Sequence, residues 1–205
     1  MKTELVHVLG FFVVAGIAAC SGATQISAPP PEIPKFTCLS NSATFRLPAD
    51  LRATLPMFKL GMPDDAYASI SQSVPGGFAG VFFEDNHYVM TFVDPTAADR
   101  ARAEIQQAFV NLGVGGTRID ARTAEIRGVR WTFAELAEWD RYILIGIHAN
   151  PVSGISSSDI DEHANTLSFG VIDETSRARL EARLATLKVS CNLVTTVIQP
   201  YAQAL

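Results

Sequence analysis

Cysteine, histidine and blocks of like charge are all scarce in this 205-residue chain, and each scarcity excludes a class of function. The three cysteines, Cys20, Cys38 and Cys191, form no C-x-x-C and have no histidine beside them, so neither thiol redox chemistry nor a zinc ribbon is indicated. Acidic residues number 21 against 16 basic, with no long run of either sign, so a nucleic-acid footprint is not expected and an anionic membrane surface would not attract the folded part. No apolar run reaches the ~20 residues that span a bilayer as a helix. There is no Gly-x-Ser-x-Gly nucleophile turn, and the glycines between Gly113 and Gly116 lack the Lys-Ser/Thr that would complete a phosphate loop and read as a helix exit.

What is present is 48% apolar composition, enough for one or two small globular domains. Residues 1–19 combine Lys2, an apolar run from Leu5 to Ala19 and small residues before Cys20, which is the grammar of an export signal. Ile17-Ala18-Ala19-Cys20 resembles the lipobox of bacterial lipoproteins, which implies acylation of Cys20, although Ile17 stands where Leu is usual. The alternative is an ordinary cleaved signal with an incidental cysteine. Ser21 resembles a sorting pattern for the outer membrane, so the expected location is the cell envelope, lipid-anchored, facing the periplasm or the cell surface. Residues 20–35, with Pro29, Pro30, Pro31 and Pro34, read as an extended tether. Cys38 and Cys191 then lie at the two ends of the folded region. In an oxidising envelope they are expected to pair, a closure of roughly 4 to 5 kcal/mol in the chain-entropy model; two separately buried thiols are the alternative.

The folded region contains a repeat. Tyr88, Met90 and Phe92 stand 79 residues before Leu167, Phe169 and Val171, both sets spaced as one face of a strand. Ala101, Ile105 and Ala108 stand at the same offset from Leu180, Leu184 and Leu187, spaced as one face of a helix. Asp94, Thr96, Asp173 and Thr175 fall where these helices begin and read as caps. Arg100, Arg102, Arg177, Arg179 and Arg183 lie off the apolar stripe and read as solvated faces. An apolar stretch from Phe78 and a serine-rich one from Gly154 precede the shared strands, and strand-like stretches from Ala121 and Asn192 follow the helices. Each copy is thus strand, strand, helix, strand. The expected fold is α+β: two β-β-α-β units with small antiparallel sheets, one in residues 36–131 with a preceding helix near Asp64 and Asp65, the other in residues 154–205. Residues 132–153 are expected to join them through a helix opened by a Thr132-x-x-Glu135 capping box, with Leu136, Trp139, Ile143 and Leu144 at near-helical spacing. Trp131 and Trp139 read as buried aromatics rather than ligand platforms.

GGFAGVFFED, IRGVRWTFAEL and GISSSDIDEHANTLSFGVID resemble, in order and kind, segments of the pro-regions of alpha-lytic-protease-like secreted serine proteases. The resemblance implies a module of two small sheets with helices on them, related to ferredoxin-like units, that guides folding of a protease and then inhibits it through its C-terminal sheet and tail. No Gly-Asp-Ser-Gly-Gly loop is present, so the module would act on a separate protease. The leading expectation is therefore a non-enzymatic envelope lipoprotein that binds protein, without a cofactor. The rival is a metal-dependent or hydrolytic enzyme using Asp159, Asp161, Glu162 and His163, whose spacing matches neither a calcium loop nor a zinc pattern; a third reading is a purely structural envelope component. His87 and His163 are expected in equivalent hairpin turns and His148 in a loop, all three as surface or structural residues.

Overall fold

The computed structural model describes residues 47, 49–54, 63–113 and 119–199. Residues 1–46 lie outside them, and with them the expected signal, tether, Cys20 and Cys38. The fold is α+β, with two three-stranded sheets and, among the described residues, five α-helices. After a short helix α1 (Ala49–Thr54) and helix α2 (Asp64–Ser73), the first sheet is built from β1 (Phe78–Glu84), β2 (His87–Phe92) and β3 (Glu125–Gly128), with α3 (Ala98–Leu112) as the crossover. Helix α4 (Phe133–Ala149) leads into the second copy: β4 (Ile155–Asp161), β5 (Thr166–Val171), α5 (Glu174–Thr186) and β6 (Val194–Ile198).

Each sheet has its middle strand second in sequence. β1 and β2 are antiparallel, as are β4 and β5, while β3 returns parallel to β2 and β6 parallel to β5. The helix in each crossover requires this, since a tight hairpin reverses the chain and a helical crossover restores its direction. The sheets are therefore mixed, with an antiparallel hairpin and a parallel third strand.

The repeat extends to irregularities. One extra residue, Ala79 in β1 and Ser156 in β4, bulges out at the same point of each hairpin. The partners Thr91 and Gly170 are 79 residues apart, whereas the positions facing them, Gly80 and Ser157, are 77 apart. The turns account for the difference. Asp85 and Asn86, both at positive φ, make a two-residue turn in the first copy, while residues 162–165 make a four-residue turn ending in left-handed Asn165 in the second.

Helix starts follow local chemistry. Asp94 accepts from the backbone N–H of Thr96 and Asp173 from that of Ser176, so both aspartates cap as expected; Thr96 instead donates its hydroxyl to Asp94. The Thr132–Glu135 capping box is complete in both directions. Gly113 ends α3 with φ of 68°, the left-handed helix exit expected of it.

One core serves both copies. Tyr67 of α2, Phe78 of β1, Phe109 of α3 and Phe133 of α4 form a cluster of rings with centroids 5.3 to 6.2 Å apart. Leu167, Phe169, Val171, Leu180 and Leu184 of the second copy belong to the same continuous buried group. Helix α4 is the joint: it packs on α2 and β1 of the first copy and on β4 and β5 of the second, burying Phe133, Leu136, Trp139 and Ile143. Trp131 is buried as well.

Candidate functional site

The polar chemistry of the molecule gathers along the seam where the two hairpins meet. Glu84 ends β1, and its carboxylate lies 2.7 Å from Nε2 of His163 in the second hairpin turn and 2.7 Å from the Arg127 guanidinium of β3. Arg127 also reaches Glu125 at 3.1 Å, and Glu125 reaches Nε2 of His87 at 2.8 Å. Five side chains from four segments thus form one chain of hydrogen bonds, with Arg127 paired to two carboxylates within it. The bonds from Arg127 and His163 hold the Glu84 carboxyl below the usual carboxylate range, and the bond from Glu125 holds the His87 imidazole above its ordinary value. Phe82 supports the chain from beneath, its ring 4.9 Å from that of His163 with Arg127 stacked over it. Because the chain is exposed, salt screens it and it contributes alignment more than stability.

Behind it lies a buried clamp. Asn165, 6% exposed, accepts from the backbone N–H groups of Arg130 and Trp131 at 3.1 and 2.8 Å and donates to the Trp131 carbonyl at 2.9 Å. Its amide imitates the edge of a strand, satisfying a backbone stretch that enters α4 with no ladder of its own. A cleft between these features is lined by Arg127, Arg130, Trp131, His163 and Asn165. Its charged groups are already engaged: Arg127 with two carboxylates and Arg130 over the Trp131 ring.

The third feature is acidic. Asp140 on α4 and Glu162 in the second hairpin turn are both pushed up to about 7, foremost by burial. Asp64 of α2 and Asp159 of β4 add negative charge to both, and the Asp64 carboxyl is itself raised. Burial also pushes the Tyr67 hydroxyl up, with Glu162 and Asp64 nearby. Glu162 lies against β1: a methyl group added to Gly80, at φ of +130°, would come within 2.5 Å of its Cγ. Glycine at this bulge therefore makes room for a carboxylate from the other copy.

The residues singled out in the sequence are not gathered into one centre. Asp161 turns its Oδ1 to the backbone N–H of Ala164, a turn cap, and His163 turns away to Glu84. Asp159 is exposed on β4. Among the described residues, no group of three or more His, Cys, Asp or Glu side chains is arranged to hold a metal ion. Ser156, Ser157 and Ser158 lie in β4 as expected, and Ser157 donates to Gln199. His148 is in the last turn of α4, not in a loop, because the helix runs on to Ala149. Two arginines also differ from expectation. Arg102 donates to the carbonyls of Ala121 and Ala124, pinning the approach to β3, and Arg183 donates twice to the Gly146 carbonyl at the end of α4. The Ala121 and Ala124 carbonyls lie in the turn and approach outside β3, whereas the Gly146 carbonyl also accepts the helical bond of Asn150, so Arg183 adds a charged donor to the last turn of α4. Cys191 is half-buried in the turn before β6 and is not free.

Asp140 and Asn165 carried the least sequence signal. Asp140 was legible in principle, since it falls four residues after Leu136 and three before Ile143, on the apolar stripe of α4. Asn165 looks like any turn residue.

The outer strands give the other candidate surface. β6 pairs with β5 and, among the described strands, with nothing else, and its Val197 and Ile198 are 45% and 38% exposed. Among the described residues this edge is open, and an open edge with exposed β-branched residues and no lysine in the strand is what proteins ordinarily avoid, because it templates pairing with another chain.

Fold and surface together define a class: a pair of β-β-α-β repeats sharing one core, with a cluster of acidic groups where the repeats meet and, among the described residues, an unblunted strand at its margin. No family model matches the chain, and no curated protein sequence matches it.

Proposed function

We propose that this protein is a non-enzymatic, lipid-anchored protein of a bacterial envelope whose folded part binds another protein by accepting a strand on the β6 edge. The open edge with Val197 and Ile198 carries the reading, since main-chain pairing supplies affinity in strand addition and alternate side chains supply specificity. The resemblance to protease pro-regions specifies the partner as a secreted serine protease, which the module helps to fold or holds inactive. Acylation at Cys20 tethers the module, probed by lipid-precursor labelling that a C20A variant loses. A bond between Cys38 and Cys191 ties the start of the folded region to the turn before β6 and fixes that strand's entry. It predicts that thiol counting under non-reducing, denaturing conditions finds neither cysteine free.

The deciding experiment combines the purified protein with secreted serine proteases of the same cell. Binding, inhibition or accelerated recovery from unfolding at micromolar concentration is expected, and V197D/I198D should remove it while leaving the circular dichroism spectrum unchanged. No effect on any such protease would sink the protease reading.

A further inference from the structure

Phe133, Leu136, Ala137, Asp140, Ile143 and Gly146 form the buried face of α4, and a carboxyl group occupies its middle. Asp140 is 5% exposed, and its Oδ1 has no hydrogen-bond partner among the described residues. A carboxylate without donors in such a place is strongly disfavoured, whereas a protonated carboxyl is tolerated. The surrounding elements offer little relief. Helix α2 presents Asp64, Asp65 and Tyr67; β4 presents Asp159 and Asp161, followed by Glu162. β5 has no titratable group, and the one on β1, Glu84, is taken up by Arg127 and His163. On α4 itself stand Glu135, in the capping box, with Glu138, Arg141, Tyr142 and His148. Arg141 favours the charged form, but burial and the charges of Asp64 and Asp159 outweigh it, and the carboxyl is held protonated up to about pH 7.

The position gives this proton leverage. Helix α4 is the element that touches both repeats, and Asp140 has an acidic neighbour in each, Asp64 in the first repeat's α2 and Asp159 in the second repeat's β4, which also repel each other. We propose that Asp140 is a proton-operated latch: α4 holds the two repeats together around an uncharged carboxyl, and loss of that proton loosens α4 from α2 and β4. Glu162, wedged over Gly80, titrates over the same range and adds to the effect without depending on it.

The test compares the full-length protein with D140N, so that Glu162 contributes equally to both. In urea unfolding from pH 4 to 9, the wild-type unfolding constant relative to that of D140N should rise by up to tenfold per pH unit from about pH 4 and level off near pH 7. Parallel pH profiles would overturn the proposal. Native-state amide exchange, corrected for its intrinsic pH dependence, should show protection in α4 and α2 falling between about pH 4 and pH 7 and more steeply in the wild type than in D140N; equal falls in the two proteins would overturn the loosening. Should D140N fail to fold, the Asp140 carboxyl carbon shift in the labelled wild type decides instead. A midpoint near 7 sustains the latch, and a carboxylate already ionised at pH 5 refutes it.

Discussion

Asn165 and Arg183 show how much a single polar side chain can hold when it reaches backbone far away in the sequence, at the entry and at the last turn of α4. Replacing Asn165 by Ala leaves the Trp131 N–H and carbonyl unpaired in a buried setting, and an expected loss of about 2–3 kcal/mol should appear as a lower urea midpoint. Arg183→Ala removes both bonds to the Gly146 carbonyl and should cost about 1.5–3 kcal/mol. Arg179, one helical turn away and exposed, bonds only the exposed Ser153, so its replacement by Ala should stay within about 0.5 kcal/mol. Equal losses at the two arginines would mean that Arg183 is no more than part of a solvated face. Sequence spacing placed both arginines alike, off the apolar stripe. It could not separate them, because the target of Arg183 lies 37 residues away on another helix.

At the scale of the element, the two hairpins share a strand pattern and a bulge but differ in their turns, and the difference has a purpose in packing. The longer second turn extends Glu162, His163 and Asn165 to β1 and to the entry of α4, while the two-residue first turn stays short. Gly80 is the receiving position. Gly80→Ala adds strain at φ of +130° and a clash with Glu162, and a destabilisation of roughly 1–3 kcal/mol is expected by thermal or urea unfolding. Thr132→Ala opens the capping box of α4 and should cost about 1 kcal/mol. The helices, hairpins and caps were legible in the sequence because each depends on residues within one or two turns of one another. The polar cluster from Ser156 to His163 looked like one candidate centre because nearness in sequence was its only visible property. A strand followed by a turn sends those side chains in different directions, to Gln199, to Ala164 and to Glu84.

For the whole molecule, the buried Asp140 and the half-buried Glu162 set the direction of pH dependence. In the unfolded chain Asp140 and Glu162 lose their protons near pH 4, whereas in the folded protein they keep them to about pH 7. Their contribution is fully present below about pH 4, is lost as pH rises, and is gone above pH 7; for Asp140 alone it is on the order of 4 kcal/mol as an upper bound. Carboxylates held low, among them Glu84, Glu125 and Asp173, act in the opposite sense, but they are exposed or at the surface and screened. The melting temperature should therefore be higher at pH 5 than at pH 8, and a profile rising toward pH 8 would contradict the burial of these groups.

The sequence by itself determined the α+β class, the order of strands and helices in each repeat, the helix caps and the aromatic and aliphatic residues of the core. These follow from periodicities of two and 3.6 residues and from side chains that bond their own backbone a few positions on. Only the tertiary structure decided that the two repeats share one core, that α4 is the joint between them, that the hairpin tips meet through Glu84 and His163, and that a carboxyl group lies on the buried face of that joint near acids of both repeats. Those relations join residues tens of positions apart, and their energies depend on burial and mutual distance, quantities that exist only once the chain has folded.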